Sequence, residues 1–150
     1  MTLQNLQRIG KIKDHAPTAA EVQRLLAAID RNIADAGVDA ISDENRFDAA
    51  YKAVMQCALV AMLAAGYRPA TNEPGHHQTM IQSLPLTLGV ANDAWVVLDA
   101  LRRQRNANDY TGAPMTPDVV AECLSQAQAL RKLLRAHLAN KHPELLKKPA

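Results

Sequence analysis

Residues 57–65, with the sequence Cys-Ala-Leu-Val-Ala-Met-Leu-Ala-Ala, are apolar on every face of a helix. They form the second half of a helical pattern that opens at Ser42 and continues to Gly66. Asp43 and Glu44 follow Ser42, in the first turn, where the helix dipole favours acids. A helix without a polar face has to be enclosed by other elements. This stretch therefore predicts a central helix that runs through the middle of the domain or through a subunit interface.

Two capping signals predict a long amphipathic helix on either side of this central one. Thr18 and Glu21 have the spacing of a capping box, in which each side chain bonds the backbone amide of the other, and the apolar stripe that follows ends at Gly37. Thr116, followed by proline and aspartate, is a second N-terminal signal, and its apolar stripe reaches Leu138.

The segment between the central helix and the last one predicts two further helices. A short helix begins at Pro74 and ends before Pro85, because a residue that precedes proline disfavours helical geometry. A longer helix runs from Leu88 or Gly89 to about Tyr110. The chain has no alternating strand pattern, so the sequence predicts an all-α fold, a four- to five-helix up-and-down bundle.

The composition agrees with one helical domain. Hydrophobic residues make up 48% of the chain and aromatic residues only 3%, so the core consists mainly of small and medium aliphatic side chains, which favour helices over a sheet. We assign residues 1–16 to an N-terminal arm, residues 17–138 to the helical domain and residues 139–150 to a basic C-terminal tail.

The charge is unevenly distributed along the chain. Residues 1–100 contain 8 Lys and Arg against 11 Asp and Glu, whereas residues 101–150 contain 9 against 4. An anionic partner on the C-terminal part would account for this asymmetry, and so would a solvated basic tail.

The cysteines and the hydropathy pattern allow a prediction of the cellular compartment. Cys57 and Cys123 lie in separate apolar helical patterns, without a metal-ligand spacing, which predicts buried reduced thiols in a cytoplasmic protein. No uninterrupted apolar run reaches the length that a bilayer requires, and residues 1–5 do not resemble the start of a signal peptide. We therefore expect a cytoplasmic protein without a membrane partner.

The candidate site is the polar end of the fourth predicted helix. Residues 102–110, with the sequence Arg-Arg-Gln-Arg-Asn-Ala-Asn-Asp-Tyr, follow an apolar stripe. Four of them share one helical face, with Arg105 on its flank: Arg102, Asn106, Asp109 and Tyr110. A solvated helix end, in which arginine complements the helix dipole, would give the same pattern.

These residues resemble a known signature. The pattern Arg105-Asn106-x-x-x-Tyr110, preceded by Leu-Arg-Arg, is similar to that of the HEPN superfamily of small helical domains associated with nucleotides and RNA. There, an arginine, a neighbouring polar residue and a histidine a few residues further on line a cleft at a dimer interface. Tyr110 stands at the histidine position. Residues 75–81 are similar to a Gly-His-His helix of some bacterial members, and the resemblance covers roughly residues 43–138.

The resemblance implies a homodimer that holds a nucleotide or RNA phosphate with Arg102, Arg105 and Asn106, without strong catalysis, in a toxin–antitoxin or phage-defence setting. Tyr110 would stack or form a hydrogen bond in the same cleft. One alternative is a metal-independent endoribonuclease, in which Arg105 neutralises the phosphate and His76 or His77 moves the proton, since a tyrosine with a pKa near 10 cannot do so at neutral pH. Another is an interaction module that pairs with a nucleotidyltransferase.

The adjacent histidines His76 and His77 are a candidate metal site by residue type. Adjacent helical positions differ by about 100° and do not face one ion, so we expect no metal and no cofactor. We expect one imidazole to face the polar cluster and the other to face solvent. The helix N-terminus beside them is a further candidate for binding a phosphate.

Overall fold

The computed structural model describes residues 1–72 and 74–148. The fold is 73% helical and contains, within those residues, six α-helices and one small sheet. The helices are α1 (Leu3–Arg8), α2 (Ala19–Ala36), α3 (Asp43–Ala64), α4 (His76–Thr87), α5 (Asn92–Thr111) and α6 (Pro117–Lys141), and the strands are β1 (Ile12–Asp14) and β2 (Tyr67–Pro69). The predicted all-α helical bundle is confirmed, with α1 as one helix more than predicted.

Helix α3 is the centre of the bundle. Its residues Phe47, Val60 and Met62 are each 0% exposed, and the buried side chains of α2, α4 and α6 belong to the same core cluster. By length and composition α3 is apolar enough to cross a membrane, contrary to the expectation from the sequence, but 72% of the segment is buried inside the protein. A helix at the centre of a protein core can meet the same criteria of length and composition.

The predicted helix starts at Thr18, Ser42 and Thr116 are confirmed. The Thr18 hydroxyl accepts a hydrogen bond from the Glu21 amide and the Glu21 carboxylate accepts one from the Thr18 amide, which completes the capping box. Ser42 and Thr116 accept from amides in the first turns of α3 and α6. Such caps stabilise a helix by about 1 kcal/mol each.

Residues 1–16, assigned from the sequence to an arm, contain α1 and β1 and contribute to the core. Leu6 and Ile12 are 2% and 1% exposed. Strand β1 pairs antiparallel with β2, with Ile12 opposite Pro69. Three-residue strands are too short to show an alternating pattern, so neither was predicted.

The C-terminal segment also packs on the domain. Helix α6 continues to Lys141, past the assigned start of the tail, and a 3-10 turn follows at Pro143–Leu146, in which Leu145 is 4% exposed. The Gln23 side-chain amide donates to the backbone carbonyls of Leu145, at 3.2 Å, and Lys147. Residues 149–150 of the assigned tail lie outside the described residues.

The predicted boundaries of two helices are wrong. Helix α4 begins at His76 and contains Pro85, where the prediction ended it. Proline there removes one backbone hydrogen bond, and the burial of Leu84, which is 0% exposed, holds the last turn in place. Helix α5 begins at Asn92, because Gly89 adopts a left-handed φ of 68° that interrupts the helical path.

Candidate functional site

A cavity of about 530 Å³ lies among α3, β2, α4 and α5. We call it the Tyr51 pocket. Its apolar floor consists of Met55, Leu59, Pro69 and Met80. Its polar wall consists of Asp48, Tyr51, Lys52 and Gln56 from α3, Thr71 from the segment between β2 and α4, His76 and His77 at the start of α4, and Arg105 from α5.

Arg105 lies against the aromatic ring of Tyr51. The guanidinium carbon is 5.0 Å from the ring centroid, a distance at which the cation is attracted to the ring face. Tyr51 is 3% exposed, and burial raises the pKa of its hydroxyl to about 12 despite the opposing charge of Arg105. The phenol is therefore protonated and neutral at physiological pH, and it holds Arg105 at the pocket wall.

Both histidines line the same pocket, whereas the sequence suggested that one would face solvent. The His76 and His77 ring centroids are 4.7 Å apart, and the Tyr51 hydroxyl lies 3.4 Å from Nδ1 of His77, a long hydrogen bond. Burial lowers the pKa of His77, and the neighbouring His76 and Arg105 lower it further. His77 is therefore neutral at pH 7 and able to accept a proton.

The amino end of α4 opens at this wall. Gly75, at a φ of 77°, precedes the helix, and no side chain among the described residues caps it. The first helical hydrogen bond joins the Thr79 amide to the Gly75 carbonyl, so the amides of His76 and His77 have no acceptor within the helix. Free amides and the helix dipole together favour a bound anion.

Asp48 faces the cations of the pocket. Burial raises the pKa of its carboxyl group, the Arg105 charge lowers it and the Asp109 charge raises it again. No group of three or more potential metal ligands occurs within the described part of the chain.

The other predicted site residues lie elsewhere. Arg102 donates to Asp99 at 2.9 Å, and its side chain is 16% exposed, so it is engaged in a partly buried ion pair. Asn106 and Asp109 are exposed and do not line the pocket. Tyr110 is 93% exposed. Of the predicted cluster on α5, the structure brings only Arg105 together with the histidines.

The predicted apolar stripe that leads to the polar cluster, formed by Leu88, Ala91, Trp95 and Leu98, belongs to α5 only in part. Leu88 and Ala91 precede the helix, and Ala91 is exposed. The face of α5 is instead determined by Leu98 and Leu101, which are 2% and 7% exposed. Arg105 follows Leu101 by one turn and thereby faces the domain.

Sequence analysis missed the contribution of α3. Asp48, Lys52 and Gln56 are spaced at i, i+4 and i+8, which places three polar side chains on one face of a helix that is otherwise largely apolar. That stripe was a detectable signal. Tyr51 was not distinguishable from an ordinary core residue, because it also fits the apolar stripe of a core helix.

Comparisons of the chain with protein-family models, with curated proteins and with solved structures found no match.

Proposed function

We propose that this protein is a HEPN-like module that binds the phosphate of a nucleotide or of RNA in the Tyr51 pocket. The observation that supports this most directly is the convergence of Arg105 with His76 and His77, the first two residues of α4, on one cavity. The Arg105 charge and the amino end of α4 both favour a negatively charged ligand.

Arg105 is the principal phosphate ligand in this proposal. Among the described residues it forms no ion pair, in contrast to Arg102 and Arg103, which both contact Asp99. Its contact with the Tyr51 ring leaves its hydrogen-bond donors available. The ring face attracts the positive charge, whereas the N–H donors lie in the guanidinium plane and are not used by this contact. A planar guanidinium held in this way suits bidentate binding of a phosphate.

The floor of the pocket suits the nucleoside part of the ligand. Met55, Leu59 and Met80 contribute apolar surface to the same pocket as the charged side chains. A volume of about 530 Å³ falls within the range of roughly 300–1,000 Å³ that small-molecule sites occupy. A ligand with a charged end and a flat, less polar end matches this division.

The binding test compares Arg105→Ala with Arg103→Ala, a change on the same helix at a side chain that is 66% exposed. Uridine 5′-monophosphate and a six-residue oligouridylate are titrated into each protein, and thermal unfolding is recorded in parallel. We expect Arg105→Ala to weaken binding by about 1.5–3 kcal/mol, roughly tenfold or more, and Arg103→Ala to change it little. A less stable Arg105→Ala protein with unchanged affinity would contradict the proposal.

A second candidate function, metal-independent cleavage of RNA, is favoured by the neutral state of His77 beside Arg105. His77 would take the proton of a ribose 2′-hydroxyl, whose oxygen then bonds to phosphorus while the bond to the 5′-oxygen breaks. His76 would protonate that leaving oxygen, and Arg105 would neutralise the phosphate.

The cleavage test incubates RNA with the protein in the presence of a chelator. The expected products carry a 2′,3′-cyclic phosphate and a 5′-hydroxyl. His77→Ala should abolish cleavage and His137→Ala, which changes a histidine outside the pocket, should retain it. Equal cleavage by all three preparations would indicate a contaminating nuclease and contradict this candidate.

A further inference from the structure

A second cavity of about 440 Å³ lies beside the Tyr51 pocket, between α2 and α3. Lys52 and Gln56 line both cavities, so the two share a boundary. The Asn32 amide donates to the Gln56 side-chain oxygen at 2.8 Å across α2 and α3. This hydrogen bond joins the two helices at the boundary between the cavities.

Three cations line the two cavities. Arg105 lies at the wall of the first cavity, Lys52 lies at the junction and Arg31 lines the second cavity. Within the described residues, none of the three forms an ion pair, whereas other arginines of the protein do. Two carboxylates, Asp48 and Asp35, line the same surfaces, so three cations face two acids.

We propose that Lys52 and Arg31 form a second phosphate subsite, and that the ligand of this protein is a short single-stranded RNA instead of a mononucleotide. This inference rests on the proposed function of the Tyr51 pocket. Each cavity by itself has the size of a site for one small ligand. Two such cavities share a lysine, and each contains an arginine that forms no ion pair among the described residues, so together they suit two phosphates of one chain.

Recognition at these two cavities depends on the phosphates more than on the bases. Three cations line them, and the Tyr51 ring is 3% exposed, so that ring does not offer a face on which a base can stack. A single-strand site that relies on the charge of the backbone has an affinity that depends steeply on salt. Binding should accordingly show little preference among base sequences.

The test measures binding of uridine 5′-monophosphate and of a six-residue oligouridylate at several salt concentrations. The decisive variant is Arg31→Ala, because Arg31 lines only the second cavity. The matched control is Arg24→Ala, an exposed arginine of the same helix that lines neither cavity. Both positions are solvent-accessible, so we expect both variants to fold.

We expect the oligouridylate to bind wild type more tightly than the mononucleotide does. Arg31→Ala should weaken oligouridylate binding roughly threefold to fivefold and reduce the slope of log affinity against log salt by about 0.7. It should leave mononucleotide binding unchanged, and Arg24→Ala should alter neither.

Equal affinity for the two ligands, or equal losses in Arg31→Ala and Arg24→Ala, would overturn the second subsite while leaving the Tyr51 pocket intact. If neither ligand binds wild type, both proposals fail.

Discussion

Replacing Tyr51 by leucine tests whether the buried ring positions Arg105. The substitution removes the ring face 5.0 Å from the guanidinium while keeping an apolar side chain in the core. Tyr51→Phe is the matched control, because it keeps the ring and removes only the hydroxyl that lies 3.4 Å from His77.

The magnitude follows from two contributions. A partly desolvated cation–π contact contributes about 0.5–2 kcal/mol. Without it Arg105 moves freely, and immobilising a long side chain on binding costs roughly 0.5–1.5 kcal/mol. We therefore expect Tyr51→Leu to weaken phosphate binding by about 1 kcal/mol, roughly fivefold, and Tyr51→Phe to weaken it less.

The stability effect is separate from the binding effect. Tyr51 stacks on Phe47, with ring centroids 6.2 Å apart, and loss of this contact with imperfect refilling of the space costs about 2 kcal/mol. That corresponds to a fall of roughly 4–8 °C in Tm for a domain of this size. Isothermal titration calorimetry at 25 °C, where the variant remains folded, isolates the affinity. A folded Tyr51→Leu protein with wild-type affinity would refute the view that the ring holds Arg105 in place.

Two further predictions concern pH and assembly. The pKa of His77 is lowered in the folded state, so the unfolded state binds more protons below about pH 6.5. Stability should therefore fall as the pH decreases through that range. Melting curves of His77→Gln should show a smaller decrease in Tm with falling pH, and a decrease identical to that of wild type would contradict this. We also predict a homodimer formed through α5, since Val96 on that helix is 53% exposed and α3 is enclosed by its own chain. Sedimentation velocity should give the mass of two chains at micromolar concentration, and the mass of one chain would exclude the dimer.

The bundle was predictable because its start signals are local. The hydroxyl of Thr18 and the carboxylate of Glu21 act within one turn of helix, so their spacing in the sequence is sufficient to identify the motif. The apolar stripe of α3 likewise identified the central helix. Sequence periodicity detects such features because the interacting groups are three or four residues apart.

The pocket was less predictable because it depends on how distant segments meet. The sequence named Arg105 as a candidate, but its partner Tyr51 lies 54 positions earlier in the sequence. The rotation of α5 is determined by Leu98 and Leu101 packing in the core. The prediction placed Asn106 on the site face and Arg105 on its flank, whereas Arg105 lines the pocket and Asn106 is exposed. Tertiary packing, which one sequence does not display, decides such a choice.

The spread of the pocket residues along the chain has a practical consequence for finding the ligand. Residues from Asp48 to Arg105 assemble the Tyr51 pocket from α3, β2, α4 and α5, so the unfolded chain contains no such site. Any compound that binds there stabilises the folded state, by about 2.7 kcal/mol at a concentration of 100 times its Kd. The corresponding rise in Tm is roughly 5–11 °C. A thermal-shift screen of nucleotides and short RNAs can therefore identify ligands of this pocket without an activity assay.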